Sequence, residues 1–275
     1  MKTFGKSAAH LGLLMLVSTS SLRAQAQPEA QAAPACDCAA VDRMKAKIEA
    51  MEKRLNDWPD LAHYREENAK LAAPAEGEQR VVFMGDSITD MWVLPKFGGF
   101  FPGKPYIGRG IGGQTTPQML LRFREDVILL RPKVVVILAG TNDFAGNTGP
   151  MTHAETVGNL MAMAELAHMH GIRVVLSSVM PVSNYGHDAG GKPIDMTIGR
   201  PPAKILRLNT WIQKFAEERG HVYLDYFSAM VDEKGMLKKG LSEDGLHPNA
   251  AGYAVMAPLA EKAIQAALSA KAATN

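Results

Sequence analysis

Val81-Val82-Phe83-Met84-Gly85-Asp86-Ser87-Ile88-Thr89-Asp90 is the stretch around which the rest of the chain is organised. Four apolar residues, two of them β-branched, run into Gly-Asp-Ser. A short apolar run ended by Gly reads as a buried strand feeding a turn. A Ser just past such a strand sits at the carboxyl edge of the sheet, where open α/β sheets bind their ligands. Taken alone, Ser87 has a plainer reading as the cap of the helix that follows, since Ser is a favoured N-cap. The remainder of the chain decides between the two.

Downstream the pattern alternates strand and helix. The spacing predicts a short helix around 88–94, a Gly- and Phe-rich loop over 97–104 and a brief strand at 105–108. Met119, Leu120, Phe123, Val127 and Leu130 recur on one side of a helix over 116–130. Lys133-Val134-Val135-Val136-Ile137-Leu138-Ala139 is the clearest strand; apolar almost throughout, it belongs at the sheet centre, covered on both faces. Then follow helix 154–169, strand 172–178, an irregular stretch over 181–201, helix 202–219, strand 221–225 and a final helix over 249–268. Strands separated by helices imply parallel strands with right-handed crossovers. The expected fold is therefore α/β: a three-layer α/β/α sandwich on a five-stranded parallel sheet, preceded by an N-terminal helical arm. No internal repeat is visible.

Working outward to the amino terminus, Lys2 and Lys6 precede the apolar run 11–17, and Ala24-Gln25-Ala26 closes the segment. That is the pattern of a secretory signal peptide, removed near Gln27 and too short to span a bilayer. Its loss takes three basic residues and leaves 27 against 28 acidic, a formal charge of −1 instead of +2. This balance gives no support to a nucleic-acid partner. Residues 27–35 have the composition of a linker. Val41, Met44, Ile48, Met51 and Leu55 then recur at spacings of three and four, an amphipathic helix suited either to lying on the main domain or to pairing two copies as a homodimer. Trp58-Pro59 breaks it, and a second helix is expected from near Asp60, with Leu61, Tyr64 and Leu71 on one face. The organisation read from this is a leader at 1–26, linker and arm at 27–79, a catalytic-sized domain at 80–268 and a tail at 269–275. Cys36 and Cys38 are too few for a zinc set and too close for an unstrained bridge. They could cross-link two chains, while lipid attachment at Cys36 lacks the Leu expected three residues earlier.

Three further stretches follow a strand or precede a helix and so collect at the same edge as Ser87: Gly108–Thr116, Gly140-Thr141-Asn142-Asp143 and Asp244-Gly245-Leu246-His247-Pro248-Asn249. At a spacing of three, the Asp244 carboxylate can reach the His247 imidazole and fix its tautomer, leaving the other ring nitrogen to act as a base. With Ser87 the set is a nucleophile, a base and an orienter. Acyl transfer also needs donors aimed at the developing oxyanion. The Ser87 N–H, the Gly113 N–H and the Asn142 side-chain amide can supply them. Asp86 and Asp143 are read as shaping their turns.

These four stretches, in this order, resemble the blocks of the SGNH hydrolases, also called the GDSL esterase/lipase family. Gly85-Asp86-Ser87 matches the first block, Gly113 the second, Gly140-Thr141-Asn142-Asp143 the third, and Asp244 with His247 the last, over roughly residues 80–268. The resemblance implies a flavodoxin-like sheet of order 2-1-3-4-5 and ester hydrolysis through an acyl-enzyme, with no metal and no cofactor. By position it makes Ser87 the nucleophile, His247 the base, Asp244 its partner, and Ser87, Gly113 and Asn142 the oxyanion hole. Thr89 stands where the nucleophile elbow of the α/β-hydrolases has its second Gly.

Gly108, Gly110 and Gly113 also match the dinucleotide fingerprint, but that motif wants an acidic residue ending the next strand. Glu125 and Asp126 fall inside a predicted helix instead. A silent, hydrolase-like binding module on a dimerising arm is a further alternative, which the presence of Ser87, Asp244 and His247 disfavours. The expected substrate is an ester borne on a small molecule or polymer, met outside the cytoplasm in the periplasm or after secretion. Expected pocket walls are Trp92, Phe97–Phe101, Phe144 and the 181–201 stretch. The few apolar residues in that stretch favour short acyl groups, such as acetyl esters of carbohydrate, over the long chains of a lysophospholipase or lipase.

Overall fold

The computed structural model describes residues 37–187 and 190–270. The leader read at 1–26, the linker at 27–35, Cys36 and the last five residues lie outside them. The chain divides into two units, Met1–Ala46 and Lys47–Asn275, and the fold and site below belong to the second.

Five parallel strands form one sheet: β1 (Val81–Gly85), β2 (Tyr106–Gly110), β3 (Val134–Leu138), β4 (Arg173–Ser177) and β5 (Val222–Leu224), in the order β2-β1-β3-β4-β5. The order is the one the family resemblance implies. The chain leaves β1 outward to β2, then crosses back to β3 on the other side of β1. The carboxyl ends of β1 and β3 therefore flank the point where the winding reverses, the place such sheets offer for a ligand.

Strand alternation sorts the core into two layers. Val82, Met84, Val135, Ile137, Val174 and Leu176 point to one face. There they meet α4 (Thr116–Asp126), α6 (His153–Met169) and α8 (Pro202–Arg219). Val81, Phe83, Val134, Val136 and Leu138 point to the other, against α3 (Ser87–Trp92) and the last helix, α9 (Ala250–Ser269). Every residue of β1 and β3 is buried, which is why both read as continuous apolar runs rather than alternating ones.

Three expectations shift. Strand β2 runs on through Gly108-Arg109-Gly110, because Gly110 pairs with Gly85 in register. Helix α4 stops at Asp126, four residues early: Val127 leaves helical angles and a short 3-10 turn follows, ended by Arg131 at φ +51°. The second arm helix, α2, covers only Arg65–Lys70. Asp60 sits at φ +56°, and the Asp57 carboxylate takes the N–H groups of Leu61 and Ala62 at 2.8 and 2.9 Å. These local side-chain bonds hold turns where a helix was expected. Of the predicted face only Tyr64 is buried; Leu61 and Leu71 are exposed.

Residues 57–72 hydrogen-bond to the sheet domain directly. Gln118 Nε2 donates to the Trp58 carbonyl at 2.7 Å, and Gln114 Nε2 to that of Pro59 at 2.7 Å. Arg80 Nη2 donates to Ala72 O at 3.0 Å. The helix before them, α1 (Cys38–Asn56), has its expected apolar seam, with Ile48, Met51 and Leu55 exposed.

Ile137 lies at the centre of the first layer and is almost fully buried. Ile137→Ala should lower the unfolding free energy by about 2–5 kcal/mol, read from the urea midpoint at unchanged slope. A loss under about 1 kcal/mol would mean that the layer is not close-packed there.

Candidate active site

Ser87 is the first residue of α3, directly beyond β1. Asp86 is the helix cap, its Oδ1 accepting the Ile88 N–H at 3.0 Å. The plain reading of the motif thus belongs to Asp86, and the Ser87 hydroxyl is not used as the cap. Being first in its helix, Ser87 presents an N–H that no intrahelical carbonyl can take.

The loop 242–249 delivers the partner. The Asp244 Oδ1 accepts the N–H groups of Leu246 and His247 at 2.9 and 2.8 Å, and Ser242 Oγ donates to it at 3.1 Å. Its Oδ2 lies 2.6 Å from His247 Nδ1. Burial alone would raise the Asp244 pKa, but these hydrogen bonds from the His247 ring and the backbone outweigh it and hold the carboxyl well below its usual range. An ionised carboxylate only accepts, so Nδ1 carries the proton and Nε2 presents its lone pair. Ser87 Oγ is 2.9 Å from that Nε2 and can donate to it. Residues 160 apart in sequence are thereby joined in one line, Ser87–His247–Asp244.

The second block supplies Gly113, at φ +76°, a conformation that side-chain-bearing residues rarely adopt. Its carbonyl accepts from Asn147 Nδ2 at 2.9 Å, and its N–H has no partner among the described residues. Gly112 beside it is close to Ser87: a Cβ there would lie 4.0 Å from that of the serine. The third block opens helix α5 (Thr141–Ala145) after β3. Asn142 is buried, and its Nδ2 donates to Gln114 O at 3.0 Å. The Asp143 carboxylate takes the Thr116 N–H at 3.1 Å and hydroxyl at 2.5 Å, tying the third block to the second.

The pocket walls differ from expectation. Trp92 is buried, stacked on Tyr253 at 5.0 Å and edge-on to Phe83 at 5.9 Å, with Phe100 and Phe101 in the same cluster. These aromatics fill the core under α3 through stacked and edge-on ring contacts, and the Tyr253 hydroxyl donates to the Ile88 carbonyl at 2.7 Å. Phe144 packs on the other layer. The 181–201 stretch does reach the site, through Arg200, which donates to Thr141 Oγ1 at 3.1 Å and to Asn142 Oδ1 at 3.3 Å. An open cleft of about 530 Å³ runs from Gly112 and Gly113 to Trp58, Asp57, Asp60 and Asn147. Sequence patterns did not reveal Trp58, Gln114 or Arg200 as site residues, since each acts through a tertiary contact. The only available signal was the position of Gln114 next to Gly113. Among the described residues no group of three or more His, Cys, Asp or Glu could hold a metal ion.

A family model described as GDSL-like lipase/acylhydrolase matches residues 83–255. A solved GDSL-like lipase from Bacteroides thetaiotaomicron is 43% identical, with a TM-score of 0.69, covering 77% of this chain and all of its own (100%). A candidate acylhydrolase from Bacteroides fragilis is 42% identical at the same TM-score of 0.69, covering 77% of this chain and 99% of its own. Among curated proteins, an uncharacterized lipoprotein of Bacillus subtilis is 38% identical over 79 residues, 28% of this chain. That match spans about a third (32%) of the lipoprotein's length. The chain belongs to the GDSL-like lipase/acylhydrolase family and is an ester hydrolase by class.

Asp86 generates a pH-dependent prediction. It is fully buried, and its Oδ2 has no hydrogen-bond partner among the described residues. Burial pushes its pKa up from 3.8 to about 6. A carboxyl with a raised folded pKa stabilises the fold relative to its ionised form below the unfolded value, and that contribution is lost as pH rises through about 6. Asn can keep the cap without the charge. The stability of Asp86→Asn relative to the parent should therefore rise between pH 4 and 7, by on the order of 2–3 kcal/mol, and then level off. A difference flat across that range would show that the buried carboxyl carries no such penalty.

Proposed function

We propose that this chain is an exported serine esterase that hydrolyses short-acyl carboxylic esters through an acyl-enzyme. The observation that carries the reading is the continuous line from Ser87 Oγ to His247 Nε2 at 2.9 Å and from His247 Nδ1 to Asp244 at 2.6 Å. In this reading Ser87 Oγ attacks the ester carbonyl carbon while its proton passes to His247 Nε2. The C–O bond to the alcohol then breaks, and His247 returns the proton to the departing oxygen. A water, deprotonated by the same imidazole, attacks the acyl-Ser87 ester; the bond from the acyl carbon to Ser87 Oγ breaks, His247 returns the proton to Oγ, and the acid leaves. Asp244 stabilises the imidazolium that forms in each half. The N–H groups of Ser87, Gly113 and the Asn142 amide receive the oxyanion.

The lining of the cleft supports short acyl groups. Asp57, Asp60, Gln114, Gln118 and Asn147 all border it, and a long hydrocarbon would strip water from these polar groups without replacing it. Trp58 offers a flat apolar face among them, a combination suited to a hydroxyl-rich leaving alcohol such as a sugar. Export is supported by the leader pattern at 1–26 and by the Bacillus subtilis lipoprotein relative.

Ser87→Ala should reduce hydrolysis of p-nitrophenyl acetate roughly 10³-fold or more, and should abolish labelling by a fluorophosphonate probe. Parental activity in this variant would end the serine-esterase reading. For the parent protein, kcat/KM should be highest for acetyl or butyryl esters; a maximum at palmitoyl would replace the short-acyl reading with a lipase one.

A further inference from the structure

We infer that Arg200 is a positioning residue for the oxyanion hole, holding the Asn142 amide in the one orientation that leaves an N–H for the substrate and polarising that N–H. The inference rests on the proposed acyl-transfer reading of the site.

A side-chain amide has two ends that fill nearly the same space, and its hydrogen-bond partners decide which way it faces. Asn142 is met on one side by an acceptor, the Gln114 carbonyl at 3.0 Å, and on the other by a donor, Arg200 Nη2 at 3.3 Å. Turned over, the amide would set oxygen against carbonyl and NH2 against guanidinium, losing both bonds. Gln114 O occupies only one of the two amide hydrogens. The second has no acceptor among the described residues and is the donor an oxyanion needs. Without Arg200, Gln114 alone would still bind the amide nitrogen, but the carbonyl end would be unheld in a buried place.

Arg200 is itself well placed for this. Its Nε donates to Thr141 Oγ1 at 3.1 Å, so the planar guanidinium spans two adjacent residues of α5. It forms no ion pair among the described residues; the carboxylates of Asp86 and Asp244 act on it only through space. Its charge is therefore not cancelled by direct contact and remains available to the amide and, through it, to an oxyanion. Such charge-assisted bonds are about twice as strong as neutral ones.

The segment carrying Arg200 is built to hold it there. The short helix α7 (Met196–Gly199) is capped by Asp195, which takes the Thr197 N–H at 2.9 Å. Asn184 grips Thr197 through both ends of its amide, at 3.1 and 3.2 Å. Gly199 packs on Ala145 at the far end of α5. At the other end of the stretch the Ser183 N–H donates to Gly245 O at 2.8 Å, and a Cβ on Gly186 would strike the Asp244 backbone. One connection thus touches both the third and the last block.

The test is a double-mutant cycle on p-nitrophenyl acetate hydrolysis with Arg200→Met, Asn142→Ala and the double variant. One oxyanion donor is worth about 10²–10³ in kcat. Arg200→Met should lose roughly 10–100-fold in kcat, with KM changed less than two-fold. In the Asn142→Ala background the same substitution should cost less than two-fold, because the group it positions is gone. Arg200→Lys keeps charge and bulk but cannot span Thr141 and Asn142 together; it should show a smaller kcat loss that also disappears without Asn142. If Arg200→Met fails to fold, the lysine variant carries the cycle. Equal losses in both backgrounds, or an effect on KM alone, would overturn the inference. Serine-independent activity in Ser87→Ala would instead overturn the reading beneath it, so the two failures are distinguishable.

Discussion

A guanidinium with no exposed surface, that of Arg122, is the contact on which the site's geometry depends. It donates to Gly85 O at 2.9 Å, to Gln114 Oε1 at 2.5 Å and to Asp126 Oδ2 at 2.9 Å. Gly85 ends β1 two residues before Ser87, and Gln114 follows Gly113. One cation therefore sets the spacing between the Ser87 turn and the second block. Burying it is unfavourable, and burial does pull its pKa below the ordinary value while Asp126 opposes the shift. Such a group is tolerated when it is paired and hydrogen-bonded, and here each of its three nitrogens donates a hydrogen bond.

The network continues into the segment before the sheet. Asp126 also accepts from Asn68 Nδ2 at 2.7 Å, and Asn68 Oδ1 accepts from Arg109 Nε at 2.9 Å. The Arg109 guanidinium lies over the Tyr64 ring at 4.5 Å, and the Tyr64 hydroxyl donates to Gly110 O. Residues 57–72 thus brace the same turn from outside that Arg122 braces from within. They also form a wall of the cleft at Trp58. From Asp57 onward the segment before the sheet and the turn that carries the second block are tied by the same hydrogen-bond network.

Much of this was legible locally. The apolar runs 81–85 and 133–139 specify buried strands because every side chain of β1 and β3 meets a helix layer on one face or the other. Helix α8 runs over the residues its pattern predicts, opened by Pro202 and closed by Gly220 at φ +68°. The Ser, Gly, Asn and His blocks could be named because each sits on its own short motif. Residues 60–64 form turns where the spacing predicts a helix, because two carboxylate bonds from Asp57 override a favourable spacing. The aromatic residues 92–101 were misread as pocket lining because composition cannot say which side of α3 faces the solvent.

By itself, then, the sequence determined the alternation of strands and helices, the parallel sheet, and the identity of Ser87, Asp244 and His247 as a possible set. Those follow from periodicity and from residue types within a few positions of one another. Only the tertiary structure decided that Ser87 and His247 lie 2.9 Å apart across 160 residues, that Trp58 rather than Trp92 borders the cleft, and that Arg200 faces Asn142. These are contacts between segments whose separation is set by the order of strands in the sheet and by buried polar bonds. Neither is written in the pattern of any one segment.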